Sequence, residues 1–477
     1  MCSEKGTATV EMGVPVVDDN NLEAGTLTLH LEPINKRQLL MKIDLRLLPM
    51  LCFMYMITFL DRVNIGNAAT LGLKEDLDIV SGTKYNAALM IFFIPYIIFE
   101  IPSNILLRRL KPHVWCVYLL GMWYARAEAQ KRYSAFSSST ILAGAFGGLL
   151  ASAIGKMDGV RGYSGWRWVF ILEGVATILM AGVVFFCLPD FPEDCKWLSE
   201  REFKVLRKKM GGETGRLSGK SKMGIRDIVG VFKDWKIFIG AFMLFGQVVS
   251  GYSASSSSSP PTYKPSYFDA QLIEGTGYAY FAPTIIRTYG YGEIKTQLYS
   301  VPPWAAAFLC VMATATLSDY VRHRYAFTMA GMVIGIAGYG VLLTLKDTHH
   351  HRVQYGALFM ITCGCFSASP IFLCWFGMNL GGHTRRSVGT AFQIGFANVG
   401  GIIATYAFLE KDAPLFRNGY IIGLSFACFS AAMSTVYFFA VRRDNRQREK
   451  VLASGVEVTP RQEEKLGDLA ATYRYAY

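Results

Sequence analysis

Charge is scarce in this chain: Asp, Glu, Lys and Arg make up only 18% of 477 residues, against 52% hydrophobic and 14% aromatic residues. With a mean hydropathy of +0.27, that balance excludes a disordered polypeptide and argues against a water-soluble globule. Histidine is rarer still, at seven residues. Three of them, His349 to His351, read as a solvated loop tract rather than a metal site. No nucleotide-binding loop, zinc-ligand spacing or nucleophile elbow is present, which argues against an ATP-driven pump and an ordinary hydrolase, and no cofactor is implied. Nor does an apolar secretory segment open the chain. Residues 1–40 are polar and mixed in charge, and read as a disordered cytosolic tail.

The ten cysteines lack metal-ligand spacing. Most, including Cys52, Cys187, Cys310, Cys363, Cys374 and Cys428, lie in apolar runs and read as small buried hydrophobes. A net charge of +12 does not indicate a nucleic-acid partner, because Lys and Arg fall between apolar segments rather than on one soluble face.

What the chain does have is apolar runs of membrane-spanning length, about 20 residues each. Nine stand clear, near 45–66, 86–107, 139–157, 167–188, 301–317, 326–345, 354–378, 387–408 and 420–441. A tenth is broken into Ile237 to Val249 and Gly277 to Ile286. Between its halves, Ser250 to Thr276 carries the run Ser255 to Ser259 followed by Pro260 and Pro261, a low-complexity stretch unsuited to hydrocarbon. The sequence therefore describes an all-α polytopic membrane protein.

Basic residues are concentrated in the segment 190–235 and in the tail 442–477, whereas the loop after the first span holds Glu75, Asp76 and Asp78. By the positive-inside rule both termini are cytosolic. The long basic linker divides the chain into a bundle at 41–189 with four spans and a bundle at 236–441 with six, the latter carrying the Ser/Pro-rich insertion 250–276. Two bundles suggest a solute site between them at the midplane. From Arg109 to Ser139 the one apolar run, Cys116 to Trp123, reaches only roughly 12 Å and cannot cross.

Ionisable groups inside spans are functional candidates by default. Asp61 and Arg62 head that group: Asp61 offers a proton-exchanging carboxyl and Arg62 a fork for a carboxylate, with an ion pair at the outer helix end as the alternative. Glu100 is a second titratable candidate, or a glutamate bonded across helices or paired with a cytosolic arginine; Asn104 shares its helix face. Glu173 reads as structural. Asn64 beside the Asp-Arg pair, together with Gln393 and Asn398, offers neutral hydrogen bonds to a solute. Tyr278, with Tyr280 and Phe281, offers stacking on a flat ring or else faces lipid. Small-residue stripes such as Ala143, Gly147, Ala151 and Gly155, or Gly331 with Gly335, mark close helix contacts.

Several runs together carry a family likeness. They are Phe59-Leu60-Asp61-Arg62-Val63-Asn64-Ile65-Gly66-Asn67-Ala68, Phe99-Glu100-Ile101-Pro102-Ser103-Asn104, Gly165-Trp166-Arg167-Trp168-Val169-Phe170, Tyr278-Ala279-Tyr280-Phe281-Ala282-Pro283, Asn379 to Ser387, and Leu466-Gly467-Asp468. The chain resembles the fungal anion:cation symporters of the major facilitator superfamily, the group of allantoate, nicotinate and pantothenate permeases. The resemblance implies a 12-helix, two-bundle fold at the plasma membrane that imports a small organic carboxylate with a proton by alternating access. It places the family's first-helix Asp-Arg pair at Asp61 and Arg62, and a monomer with no resident cofactor is expected.

Two departures from that pattern stand out. The third helix and nearly all of the fourth, with its arginine and glutamate, would fall between Trp115 and Val117, leaving about 10 spans; losing a pair keeps every later loop on its side. Relatives also lack the serine-rich stretch. A translated intron at 250–276 and an exon removed near Cys116 would explain both. The alternative function is then a nutrient sensor or an inactive carrier that binds without transporting.

Overall fold

The computed structural model of the protein describes residues 35–69, 71–79, 84–106, 123–124, 126–187, 195, 197–206, 225–253, 293–345, 351–381, 383–407, 417–454 and 467–477. Among them stand ten long helices: α1 Lys36–Ala69, α2 Lys84–Leu106, α3 Arg126–Gly155, α4 Gly165–Cys187, α5 Trp235–Ser253, α6 Glu293–Val321, α7 Arg324–Thr344, α8 His351–Met378, α9 His383–Ala407 and α10 Arg417–Ala453. Eight are long and apolar enough to cross a bilayer: α1, α3, α4 and α6 to α10. Each of the nine clear spans falls on a helix, as does the first half of the broken tenth, whose second half, 277–286, lies outside the described residues; the described residues are an all-α polytopic membrane protein.

Several helices run past their apolar windows, three of them for a clear local reason. α3 starts at Arg126 rather than near 139 because its charged first turns find partners. Arg132 forks onto Asp44 of α1 with contacts of 2.7 and 2.6 Å, and its guanidinium lies 4.5 Å over the Tyr124 ring. α5 continues to Ser253, so the first residues of the Ser/Pro-rich stretch are helical. Gln247 there donates to the Cys365 carbonyl of α8 at 2.5 Å, and the Tyr339 hydroxyl of α7 donates to the Ser250 carbonyl. α10 runs on to Ala453 because its last turns are covered by the chain's final residues. The rest of 254–292, with Tyr278, and residues 107–122 lie outside the described residues, as do 1–34.

In the first half, α1 packs on α3 and α4. In the second half, α5 lies between α9 and α10, and α8 packs on α7 and α6. The α7–α8 approach requires glycine: a Cβ on Gly364 would fall 2.6 Å from the Gly331 carbonyl oxygen. The halves meet where α2 crosses α9 and where α3 meets α6 and α8. The linker also docks, since Trp197 stacks on Trp123 at 5.6 Å and Lys42 of α1 pairs with Glu202 at 2.9 Å. Ser199 and Glu202 form a reciprocal capping box, and the Ser199 backbone N–H holds the Glu202 carboxyl below its ordinary range.

The final segment 467–477 seals the ends of α5, α7, α8, α9 and α10. Asn445 of α10 grips both backbone groups of Tyr475 at 3.0 Å. Asn379 does the same for Ala476, whose carbonyl also accepts from Trp375 Nε1 at 2.8 Å. Arg385 contacts Asp234 at 2.7 Å and Asp468 at 2.8 Å. Burial pushes the Asp468 carboxyl above its ordinary range, with the Arg385 charge opposing. Replacing Asn445 by Leu leaves two buried backbone groups without partners, at a cost of about 1–3 kcal/mol each. The expected outcome is a lower thermal midpoint of the purified protein, to about the same extent as removing residues 467–477.

Candidate functional site

The polar residues at the end of α1 divide between two helices as helical geometry requires. Asp61 and Asn64, three apart, share a face, and Arg62 lies about 100° away. On the shared face, the Asp61 carboxylate accepts from the Thr177 hydroxyl at 2.8 Å. Asn64 Nδ2 donates to the Glu173 carboxyl. Glu173 and Thr177 stand one turn apart on α4, so two rungs cross from α1 to α4. Asn64 is 1% exposed and Glu173 7% exposed. One oxygen of each, Asn64 Oδ1 and Glu173 Oε1, is buried without a hydrogen-bond partner. Asp61 is close enough to Glu173 to act on it electrostatically.

Arg62 faces the other half. Its guanidinium carbon lies 4.8 Å above the ring of Phe93 on α2. Phe93 in turn stands against α9, where a Cβ on Gly401 would fall 2.4 Å from a ring carbon. A missing side chain at 401 is what lets the ring reach the second half. Arg62 therefore sits at the seam between bundles, next in sequence to Asp61 but on a different face of α1.

The remaining sequence candidates are placed differently. Gln393 is wholly buried and donates to the Gly240 carbonyl of α5 at 3.0 Å, joining two helices of the second half. Asn398 donates to the Ile394 carbonyl of its own helix at 2.8 Å. Glu100 belongs to α2, but its side chain and that of Asn104 lie outside the described ones, and Tyr278 lies outside the described residues. The structure thus gathers Asp61, Arg62 and Asn64. It adds Phe93, Thr177 and Glu173, the last read from sequence as structural although its place in the apolar run Phe170-Ile171-Leu172-Glu173-Gly174-Val175 was the available signal.

Chemically the site combines a cation able to hold a carboxylate by paired hydrogen bonds with carboxyls able to hold a proton. Among the described residues no group of three or more His, Cys, Asp or Glu side chains is arranged to hold a metal ion.

The sequence profile described as Major Facilitator Superfamily matches residues 113–405. The chain is 29% identical to the MFS-type transporter cnsO of Penicillium expansum, covering 96% of this chain and 95% of that protein. It is 28% identical to the MFS-type transporter efuF of Hormonema carpetanum, covering 94% and 92%. The cnsO alignment runs over 519 positions yet takes in 96% of 477 residues, about 458, so roughly 60 positions have no residue in this chain. In fold, the chain is similar to a proton:xylose symporter, XylE, with a TM-score of 0.56 at 14% identity, covering 83% of this chain and 96% of that one. By the profile match over more than half its length, this chain belongs to the major facilitator superfamily, and it is a multi-pass membrane transporter rather than an enzyme.

Proposed function

We propose that the protein is a proton-coupled symporter importing a small organic anion, a carboxylate such as nicotinate, pantothenate or allantoate, by alternating access at the plasma membrane. The observation that carries this reading is Arg62 at the seam, stacked on the ring that meets α9. A guanidinium held in an apolar layer attracts an anion strongly, because neither is well solvated there. Asp61 and Glu100 are the carboxyls the sequence offers for the proton. An anion entering beside ionised carboxyls meets repulsion that protonation removes, so acid outside favours the loaded carrier. The end bearing the final segment also bears Arg322, Arg324, Arg442 and Arg443, which supports a cytosolic placement of both termini.

Uptake of radiolabelled nicotinate, pantothenate and allantoate by cells expressing the chain tests this. At least one is expected to accumulate faster on external acidification and to lose accumulation with a protonophore; insensitivity to both removes the symport reading. Arg62→Gln removes a charge-assisted hydrogen bond of about 1.5–3 kcal/mol and is expected to weaken the solute's half-saturation roughly 10- to 100-fold. Arg62→Lys, which keeps charge without the planar fork, falls between.

Alternating access requires the seam to open and close. Gly401→Val drives two methyl groups into the Phe93 ring, so solute accumulation is expected to fall while a cysteine placed in the seam becomes more reactive toward a water-soluble maleimide. Unchanged reactivity would show that this contact does not close the carrier.

A second reading, a sensor that binds without transporting, is favoured by the roughly 60 aligned positions this chain lacks, enough for two spans of about 20 residues. Saturable binding of one of the three acids with no accumulation selects it.

A further inference from the structure

Resting on the anion-symport reading, we infer that Glu173 of α4, gripped by Asn64 of α1, is the group that holds the coupling proton.

Within the apolar layer, α1 and α4 bring together two carboxyls, Asp61 and Glu173, while the one guanidinium of that turn, Arg62, points to Phe93 of α2. Two carboxylates against one cation leave an uncompensated negative charge where hydration is poor, a state that buried sites avoid by taking up a proton. The other helix packed on α4 is α3, and its membrane stretch from Ser134 to Gly155 contributes no ionisable side chain. Among the described residues, Glu173 is therefore met by the neutral amide of Asn64 and lies within electrostatic reach of the acid at 61, while the base at 62 turns toward Phe93.

Geometry then decides which carboxyl holds the proton. Glu173 is 7% exposed, whereas Asp61 is only partly buried. Glu173 receives a hydrogen bond on Oε2 from a neutral amide, and its Oε1 has no partner. An Oε1–H group suits that arrangement: Asn64 has a buried, unpartnered Oδ1 as well, so the neighbourhood offers a free acceptor to a protonated acid. A carboxylate at 173 would leave a charged oxygen buried and unmet. Asp61 accepts from the Thr177 hydroxyl and is the less buried of the two carboxyls, so its charge is the better met.

The step is simple to balance. Water at the outer side gives a proton to the Glu173 carboxylate; after inward opening the Oε1–H bond breaks, water accepts the proton, and the carboxylate remains until the carrier returns. While Glu173 is neutral, an anion arriving at Arg62 meets one nearby carboxylate, Asp61, instead of two.

Two measurements on the full-length protein test this. Calorimetry in buffers of different ionisation enthalpy counts protons taken up when nicotinate, pantothenate or allantoate binds. Uptake approaching one proton per anion is expected only above the pH at which Glu173 of the solute-free protein loses its proton, and it is expected to fall to near zero in Glu173→Gln wherever that variant still binds. Undiminished proton uptake in Glu173→Gln overturns the assignment while leaving the symport reading intact; failure of the unaltered protein to bind any of the three acids overturns both. Infrared spectroscopy of the protein without solute, at neutral pH, is expected to show a protonated-carboxyl stretch that survives Asp61→Asn and vanishes in Glu173→Gln. A band lost with Asp61→Asn instead assigns the proton to Asp61. If Glu173→Gln does not reach the membrane, Glu173→Asp decides: a shifted pH midpoint of that band supports the assignment, and an unshifted one overturns it.

Discussion

A charge carried into hydrocarbon must be met by protein, since lipid offers it nothing. α1 carries two such charges in succession, Asp61 and Arg62, and the placement of its neighbours follows from them. α4 supplies Thr177 and Glu173 to the face shared by Asp61 and Asn64. α2 supplies the Phe93 ring to the guanidinium, and α9 gives up a side chain at Gly401 so that the ring fits. Four helices, one of them from the opposite half, are positioned around two adjacent residues.

The second half solves a different problem. Among the described residues, three of its neutral polar side chains donate to backbone carbonyls of neighbouring helices: Gln247 to Cys365, Gln393 to Gly240, and Ser430 to Met243. Such bonds are worth only about 0.6–2 kcal/mol each in a membrane, but they fix helix rotation and register. Its described ion pairs are found at one end instead, where Lys236 meets Asp444 at 2.5 Å and Arg385 bridges Asp234 and Asp468 beneath the final segment. Among the described residues, the first half thus carries Asp61, Arg62 and Glu173 in the apolar layer, and the second is held by neutral hydrogen bonds and glycine contacts and stapled at its end. That asymmetry suits a carrier in which a reactive bundle moves against a rigid one.

The ten helices were legible because a long apolar run has few alternative fates in a chain with this little charge. Their ends were less so. Arg132 looks like a reason to stop α3 until Asp44, 88 residues away in sequence, is seen to receive it. The docking of 467–477 was invisible for the same reason: its hold depends on Asn379 and Asn445, whose amides meet the tail only in three dimensions. Candidate site residues divided along this line. Asp61 and Arg62 announce themselves by adjacency inside an apolar run, whereas Gln393 reads equally as solute contact or helix staple until Gly240 is found opposite. Glu173 went the other way, read as structural because its partner Asn64 lies 109 residues earlier.

The geometry also explains why binding and closure would be linked in a carrier of this design. The Phe93 ring has two faces of use, one under the Arg62 guanidinium and one against Gly401 of α9. A carboxylate that draws the guanidinium toward itself gives up a cation–π contact worth about 0.5–2 kcal/mol and frees the ring to shift. Because Gly401 leaves no slack for that ring, any shift is felt at the contact between halves. A solute that could not engage Arg62 would leave ring and seam as they are. Discrimination for anions and movement of the bundles would then arise from the same three residues, without a separate relay between them.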